Sequence, residues 1–325
     1  VLTTCKRLQE GGPGAGNRPT MARIVAWLAC VPSIGALLCR VWEVSPMQPV
    51  VLFGFLPCCA ILLALWRRGD REVSHDLSLG FLGGLLGTLG YDLARVPFHL
   101  AGFKVFAPIS AYGVWICGAD CWSGWTEAVG WAYHFSNGIT FGVMYALVAR
   151  NRHWAWAVLF AMALETGAIL CPFGALFNLR GNYPGIAVAY LGHLAYGLPL
   201  GLVVQHAEAS LDWLRRLPVG FKLTGLGLCL LGVLSPALRP GEPPPRGYRI
   251  GHNLQAEPSW RRARPGTELE VLNPTANGVV VAFLGERLSL PAGGRVILRA
   301  RAKGVHPVVI EGEGLKRISF LIVEE

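Results

Sequence analysis

The chain is predicted to be a polytopic α-helical membrane protein with about seven spans, one interfacial or re-entrant helix and a C-terminal all-β sandwich. Three observations predict this fold class. Of the 325 residues, 53% are hydrophobic and only 15% are charged, whereas about a quarter of residues are charged in soluble domains. Apolar runs long enough to cross a bilayer recur up to residue 238. Beyond about residue 248 they give way to short runs that alternate apolar and polar residues.

The first twenty residues are polar and glycine-rich, and residues 1–20 are expected to be disordered. Met21 is a candidate start, and the apolar run after Arg23 is interpreted as a signal anchor or first span, with a cleaved signal peptide as the alternative. A transmembrane helical bundle is predicted over residues 21–238. Its spans are expected at about 24–42, 49–66, 79–98, 127–149, 154–172, 186–205 and 221–238.

Basic loops predict how the bundle is oriented. The loops that carry Arg67, Arg150 and Arg215 are rich in arginine, and such loops stay on the cytoplasmic side. Residues 99–126 must then begin and end outside, so the short apolar piece 103–117 is expected to be interfacial or re-entrant. This orientation predicts a multi-pass protein of the cell membrane with a cytoplasmic N-terminus and an extracytoplasmic C-terminal domain. Most of the basic residues behind the net charge of +9 lie in loops and tails beside the predicted spans, where they set the orientation. Nucleic acid is therefore not an expected partner.

The C-terminal part has the pattern of a small β-domain. A linker rich in proline and glycine is predicted at 239–247, followed by the all-β domain at 248–325. The order of the segments GTELEVLNP, LPAGGRVILRA, HPVVIEG and SFLIVE resembles a cupredoxin-like sandwich over residues 260–325. In copper-binding members the resemblance would imply a cysteine with two histidines. No cysteine follows Cys229, and only His252 and His306 are present. The domain is therefore expected to lack copper and to dock a protein partner or act as a lid.

Four ionisable residues interrupt the predicted spans: Asp92, His134, Glu165 and His193. Counted from the outer end of its span, each lies six or seven residues deep, which is roughly 10 Å at the rise of an α-helix. Ionisable groups inside a membrane are costly and usually functional. Their shared depth on four spans predicts a single cluster in the outer leaflet.

Two of these residues head the same short motif. His-x3-Gly-x3-Gly occurs twice, as His134, Gly138, Gly142 and as His193, Gly197, Gly201. Residues four apart lie on one helix face, so each histidine heads a glycine groove that lets a neighbouring helix approach closely. The repeated motif could have arisen from a duplicated helical hairpin or by chance, and both explanations remain open.

The predicted cluster has the residue types of a metal site. His134, His193, Asp92 and Glu165, with His99 nearby, could bind a divalent metal such as Zn, Fe or Cu. Asp92, Glu165 and Arg95 are then the catalytic candidates, with a carboxylate as general base and Arg95 orienting a ligand or binding an anionic substrate group. Asp92, Arg95 and His99 share one helix face, so an intrahelical Asp92–Arg95 ion pair is the structural alternative.

The favoured function is an integral-membrane metalloenzyme that acts on a lipid-like substrate among the membrane lipids. Three alternatives remain open. One is a haem-b electron carrier with His134 and His193 as axial ligands, and another is a proton-coupled transporter. The third is a non-catalytic subunit or scaffold that docks a partner through its β-domain. Cys117 and Cys121 could form a disulfide or remain free thiols.

Overall fold

The computed structural model describes ten helices and nine strands within a chain that is mostly helical. The described residues are 21–101, 105–119, 123–177, 179, 182–220, 227, 247–251, 254, 256–257, 260–301, 304–312 and 314–323. Predictions about residues 1–20, almost all of the seventh span and of the linker, Cys121 and His252 therefore lie outside the described residues.

The helices occupy the predicted membrane region. They are α1 (Met21–Val41), α2 (Met47–Val50), α3 (Leu56–Arg68), α4 (Arg71–Leu100), α5 (Ala107–Cys117), α6 (Gly124–Ala149), α7 (Ala155–Leu170), α8 (Pro172–Leu176), α9 (Tyr183–Gln205) and α10 (Ala207–Arg216). A π-helical turn at Val51–Phe55 joins α2 to α3, so Met47–Arg68 forms one continuous helical segment.

The prediction of about seven spans is not supported. Among the described residues, four helical segments are long and apolar enough to cross a membrane: Met21–Val41, Met47–Arg68, Arg71–Leu100 and Tyr183–Gln205. Helix α6 has 26 residues, but polar residues such as His134 and Asn137 lower its hydropathy. Helix α7 has only 16 residues, which is short for a bilayer. Helix α5, within the predicted interfacial piece, is a short apolar helix whose Ile109 and Val114 are buried.

Local sequence explains where the central helices begin. Asp70 caps α4, because its carboxylate accepts the backbone N–H of Val73 at 2.8 Å. Ser123 and Thr126 form a reciprocal capping box at the start of α6. The side chain of Asn182 accepts the N–H of Gly185 at the start of α9. These caps define where three helices that carry site residues begin.

Helix α4 is the central element of the bundle and packs against both α6 and α9. The glycines of the repeated motif do lie at close helix contacts, as predicted. A Cβ atom on Gly142 would stand 2.5 Å from the Gly80 carbonyl oxygen on α4. A Cβ on Gly197 would stand 2.7 Å from the Val158 Cα on α7. The two motifs therefore hold different neighbours, α6 against α4 and α9 against α7.

The C-terminal region contains two sheets, with strand orders β2-β1-β4-β7 and β3-β9-β8-β5-β6. Their strands are β1 (Gly247–Ile250), β2 (Ala256–Glu257), β3 (Trp260–Ala263), β4 (Glu268–Leu272), β5 (Val279–Phe283), β6 (Glu286–Leu290), β7 (Arg295–Arg299), β8 (Gly304–Gly312) and β9 (Leu315–Val323). Alternate residues of both sheets, including Leu269, Leu298, Val281 and Ile310, share one buried apolar core. Two pairings are parallel, β1 with β4 and β3 with β9.

Candidate functional site

Asp92 on α4 and His134 on α6 form the first polar pair of the site. The His134 Nε2 atom lies 3.0 Å from Asp92 Oδ1 and 3.2 Å from Oδ2. Because the carboxylate accepts the Nε2–H, Nδ1 is left as the basic nitrogen of the neutral ring. In the described part of the chain Nδ1 has no hydrogen-bond partner. Asp92 thus orients the imidazole ring of His134 through its Nε2 atom.

Glu165 on α7 and His193 on α9 form the second pair. The His193 Nδ1 atom lies 3.1 Å from Glu165 Oε2 and 3.1 Å from the carbonyl oxygen of Ala189, one turn earlier. Both side chains are largely buried. The carbonyl accepts the Nδ1–H, which makes Nε2 the basic nitrogen of this imidazole.

Tyr91 joins the two pairs. Its ring centroid lies 5.8 Å from that of His134 and 5.0 Å from that of His193. The predicted clustering in one region of the bundle is therefore observed, but as two pairs that meet at a tyrosine. This arrangement does not favour haem ligation, because Tyr91 already packs against both imidazoles that would be the axial ligands.

The predicted metal site gains no support from this geometry. Among the described residues, no group of three or more His, Cys, Asp and Glu side chains is placed to hold a metal ion. His99, the proposed fifth ligand, instead packs edge-to-face on Phe106 at 5.2 Å between ring centroids. Because each histidine already engages its own carboxylate, the four residues form two separate pairs. Metal binding stays a prediction that no described contact supports.

Arg95 does not pair with Asp92, contrary to the structural alternative from the sequence. Its guanidinium carbon lies 4.4 Å from the centroid of Tyr91 and 5.1 Å from that of Phe106, so it is held by aromatic faces. The residue is only 7% exposed. Within the described residues, no carboxylate lies at ion-pair distance from it. In the part of the chain that the structure describes, Arg95 is thus a buried cation that no carboxylate contacts directly.

A cavity of about 820 Å³ lies beside the two polar pairs and Arg95. Arg95, His134, Glu165 and His193 contribute to its wall together with Tyr91. Most of the remaining lining is apolar or aromatic, including Leu37, Tyr112, Leu164, Phe177 and Val188. The cavity therefore combines a polar patch with a long apolar surface.

Sequence reasoning missed several residues of this cavity. Tyr91 directly precedes Asp92, and its position next to an intramembrane acid was the only available signal. Asn137 lies one turn after His134 on α6, where its Oδ1 accepts the Ser33 hydroxyl at 3.0 Å. Arg317 and Phe320 belong to strand β9 and also line the cavity. No local pattern in the sequence connects a strand residue with a helical cavity.

A second polar cluster lies toward the other end of α4. Asp76 is 0% exposed and pairs with Arg23 of α1, while the Arg150 Nε atom, at the end of α6, lies 3.6 Å from Asp76 Oδ1. His75 is mostly buried, and its Nε2 lies 3.2 Å from the Glu208 carboxylate on α10. The predicted third span began at residue 79, so these groups fell just outside it. The cluster ties three helices together around one carboxylate.

No family model, curated protein or solved structure matches this chain.

Proposed function

We propose that this chain is an integral-membrane protein that binds an anionic, lipid-like molecule in the cavity beside α4. The observation that carries this proposal is Arg95, a buried cation that lines an otherwise largely apolar cavity and has no carboxylate partner among the described residues. Burial of an unpaired charge is costly, so an arginine in this setting calls for an anion. Guanidinium groups bind carboxylates and phosphates through paired, charge-assisted hydrogen bonds.

The rest of the lining supports an amphiphilic ligand. An apolar wall that includes Leu37, Leu164 and Val188 would bind a hydrocarbon chain by excluding water from it. The volume of about 820 Å³ falls in the range of roughly 300–1,000 Å³ that is typical of small-molecule sites. A charged head at Arg95 with a chain along the apolar wall is the ligand shape that fits both features.

Binding to purified full-length protein tests this proposal. The probes are a long-chain fatty acid, lysophosphatidic acid and a neutral monoacylglycerol of the same chain length. One charge-assisted contact is worth about 1.5–3 kcal/mol, so each anionic probe is expected to bind at least about tenfold more tightly than the neutral one. Equal affinity for the three probes would rule the proposal out. The ratio between the two acids tells whether carboxylate or phosphate is preferred.

A second candidate function, hydrolysis of an ester-containing amphiphile, is favoured by the Asp92–His134 pair. Asp92 holds the imidazole in one tautomer, and Nδ1 is positioned to act as a general base. In this reaction Nδ1 takes a proton from water while the oxygen of that water bonds to the ester carbonyl carbon. The ester C–O bond then breaks, and the leaving alcohol oxygen receives the proton from the imidazolium. The products are a fatty acid and an alcohol.

Asp92→Asn tests the hydrolytic candidate. An amide cannot hold the imidazole in the required tautomer or stabilise its cation, so kcat for release of fatty acid from lysophosphatidic acid is expected to fall about 100-fold or more. The KM is expected to change far less. The matched control is Asp212→Asn, since Asp212 is exposed on α10 and pairs with the exposed Arg215. Absence of hydrolysis by the wild type would end this candidate and leave the binding proposal standing.

The proposal includes an orientation for the bundle and a fold for the C-terminal region. Asp76 lies sixteen residues before Asp92 on α4, about 24 Å along the helix axis. The arginines beside Asp76 support a cytoplasmic position for the N-terminal end of α4 and an extracytoplasmic position for the cavity.

Two mixed sheets with the first strand parallel to β4 support a cupredoxin-like arrangement for the C-terminal region. No cysteine follows Cys229 in the sequence, which supports a C-terminal region that binds no copper.

A further inference from the structure

Strand β9 of the C-terminal region contributes two residues to the cavity wall, Arg317 and Phe320. Phe320 is only 5% exposed and packs in one apolar cluster with Leu37 of α1, Tyr112 of α5 and Tyr133 of α6. Strand β9 thus contacts the helices at Phe320 and contributes part of the cavity wall.

The alternation of side chains along β9 explains why Phe320 faces the helices. Leu321 and Val323 point into the core between the two sheets, so Phe320 points to the opposite face. Arg317 pairs in register with the core residue Ile310 and therefore leaves the strand on the core side, so its long side chain must reach around to the cavity wall. The backbone at Phe320 is held from the core side, because the buried Tyr248 hydroxyl donates to the Phe320 carbonyl oxygen at 2.8 Å. Burial raises the pKa of Tyr248 far above its ordinary value, so the hydroxyl keeps its proton and remains a donor. Phe320 is therefore presented by a rigid strand.

We propose that the β-region completes the binding site, with Arg317 as a second cationic contact for the ligand head group and Phe320 as part of the wall around its chain. This inference rests on the proposed function. Two guanidinium groups, Arg95 and Arg317, suit a head group with more charge and more acceptor oxygens than a carboxylate has. The ligand class that fits best is a single-chain phosphate monoester.

The substitution Arg317→Gln in the full-length protein tests the cationic contact. Its affinity for lysophosphatidic acid is expected to fall about tenfold, while its affinity for a fatty acid of the same chain length falls less. The matched control is Arg295→Gln, which removes an exposed arginine from β7 that pairs with Glu270 and is expected to change neither affinity. Arg317→Lys keeps the charge and is expected to retain most of the phosphate binding.

The outcomes separate this inference from the proposed function. If the wild type prefers anionic probes and Arg317→Gln behaves like Arg295→Gln, the β-region supplies no head-group contact and the inference fails. If the wild type shows no preference for anionic probes, the proposed function itself fails. An equal loss for phosphate and carboxylate probes would overturn the assignment to a phosphate monoester.

A second measurement tests the wall formed by Phe320. Cys171 lines the same cavity, so its reaction with a maleimide, followed by mass spectrometry of the peptide that contains it, reports access to the interior. Phe320→Ala is expected to speed this reaction several-fold, and Phe320→Leu to change it little. Ile297→Ala, at an exposed position of β7, is the control and should leave the rate unchanged. An unchanged rate in folded Phe320→Ala protein would show that Phe320 does not close the cavity.

Discussion

Replacing Gly142 with alanine is expected to prevent α6 from docking on α4. The added Cβ would stand 2.5 Å from the Gly80 carbonyl oxygen and 2.5 Å from the Gly84 Cα, and backbone atoms cannot rotate out of the way. Forcing atoms into a packed interface costs about 1–3 kcal/mol and sometimes more, and a backbone clash belongs at the upper end. Because α4 carries Asp92 and α6 carries His134, separating the helices also breaks the first polar pair. Both the melting temperature in detergent and amphiphile binding should fall sharply.

The control for this substitution is Gly35→Ala on α1. Among the described residues, no atom outside the surrounding helix backbone lies within 4 Å of a Cβ built at Gly35, and alanine favours a helix by about 1 kcal/mol over glycine. Gly35→Ala should therefore preserve or raise the melting temperature. A Gly142→Ala protein that melts and binds like the wild type would show that α4 and α6 are further apart than described.

Replacing Arg95 with glutamine is expected to lower ligand affinity and to raise the stability of the ligand-free protein. The guanidinium is buried without a carboxylate partner in the described chain, so its removal relieves a desolvation cost that the empty protein bears. The same change removes a charge-assisted contact worth about 1.5–3 kcal/mol, which corresponds to roughly a 10–100-fold loss of affinity for an anionic amphiphile. Titration with lysophosphatidic acid and a thermal melt measure the two effects on one sample.

Arg95→Lys separates charge from shape. Lysine keeps a cation but lacks the planar fork and stacks less well on Tyr91 and Phe106. Its affinity for the anionic probe should fall between those of wild type and Arg95→Gln, and the neutral monoacylglycerol should bind all three proteins alike. If Arg95→Gln binds the anionic probe as tightly as the wild type does, Arg95 is not the head-group contact.

The sequence predicted the polar residues of the site better than their pairing. The cost of ionisable groups in apolar helices singled out Asp92, His134, Glu165 and His193, and helical rise placed them at one depth. Which carboxylate meets which histidine depends on how each helix is rotated about its axis. That rotation is fixed by packing between helices, including the glycine contacts of α6 with α4 and of α9 with α7. The expected single group therefore became two pairs.

Other features required tertiary contacts that no local pattern contains. The described residues support four of the predicted spans, because α6 is interrupted by polar residues and α7 is short. Asp76 lies near the start of α4, and its burial beside Arg23 and Arg150 depends on how α1 and the end of α6 pack there. Phe320 follows an ordinary strand alternation, and its contact with the helices depends on how the sheet docks.

The burial of Phe320 against the helices has a consequence for biosynthesis. Chains are made from the N-terminus at about 5–20 residues per second, so α1 to α9 leave the ribosome well before β9 does. From His193 to Phe320 the ribosome must add 127 residues, which takes roughly ten seconds. During that interval the nascent chain already contains Arg95, His134 and His193 but lacks the part of the cavity wall that Phe320 provides. If the chain binds a lipid-like molecule as proposed, a newly made molecule is therefore open to a lipid of the surrounding bilayer before the last strand folds over the cavity.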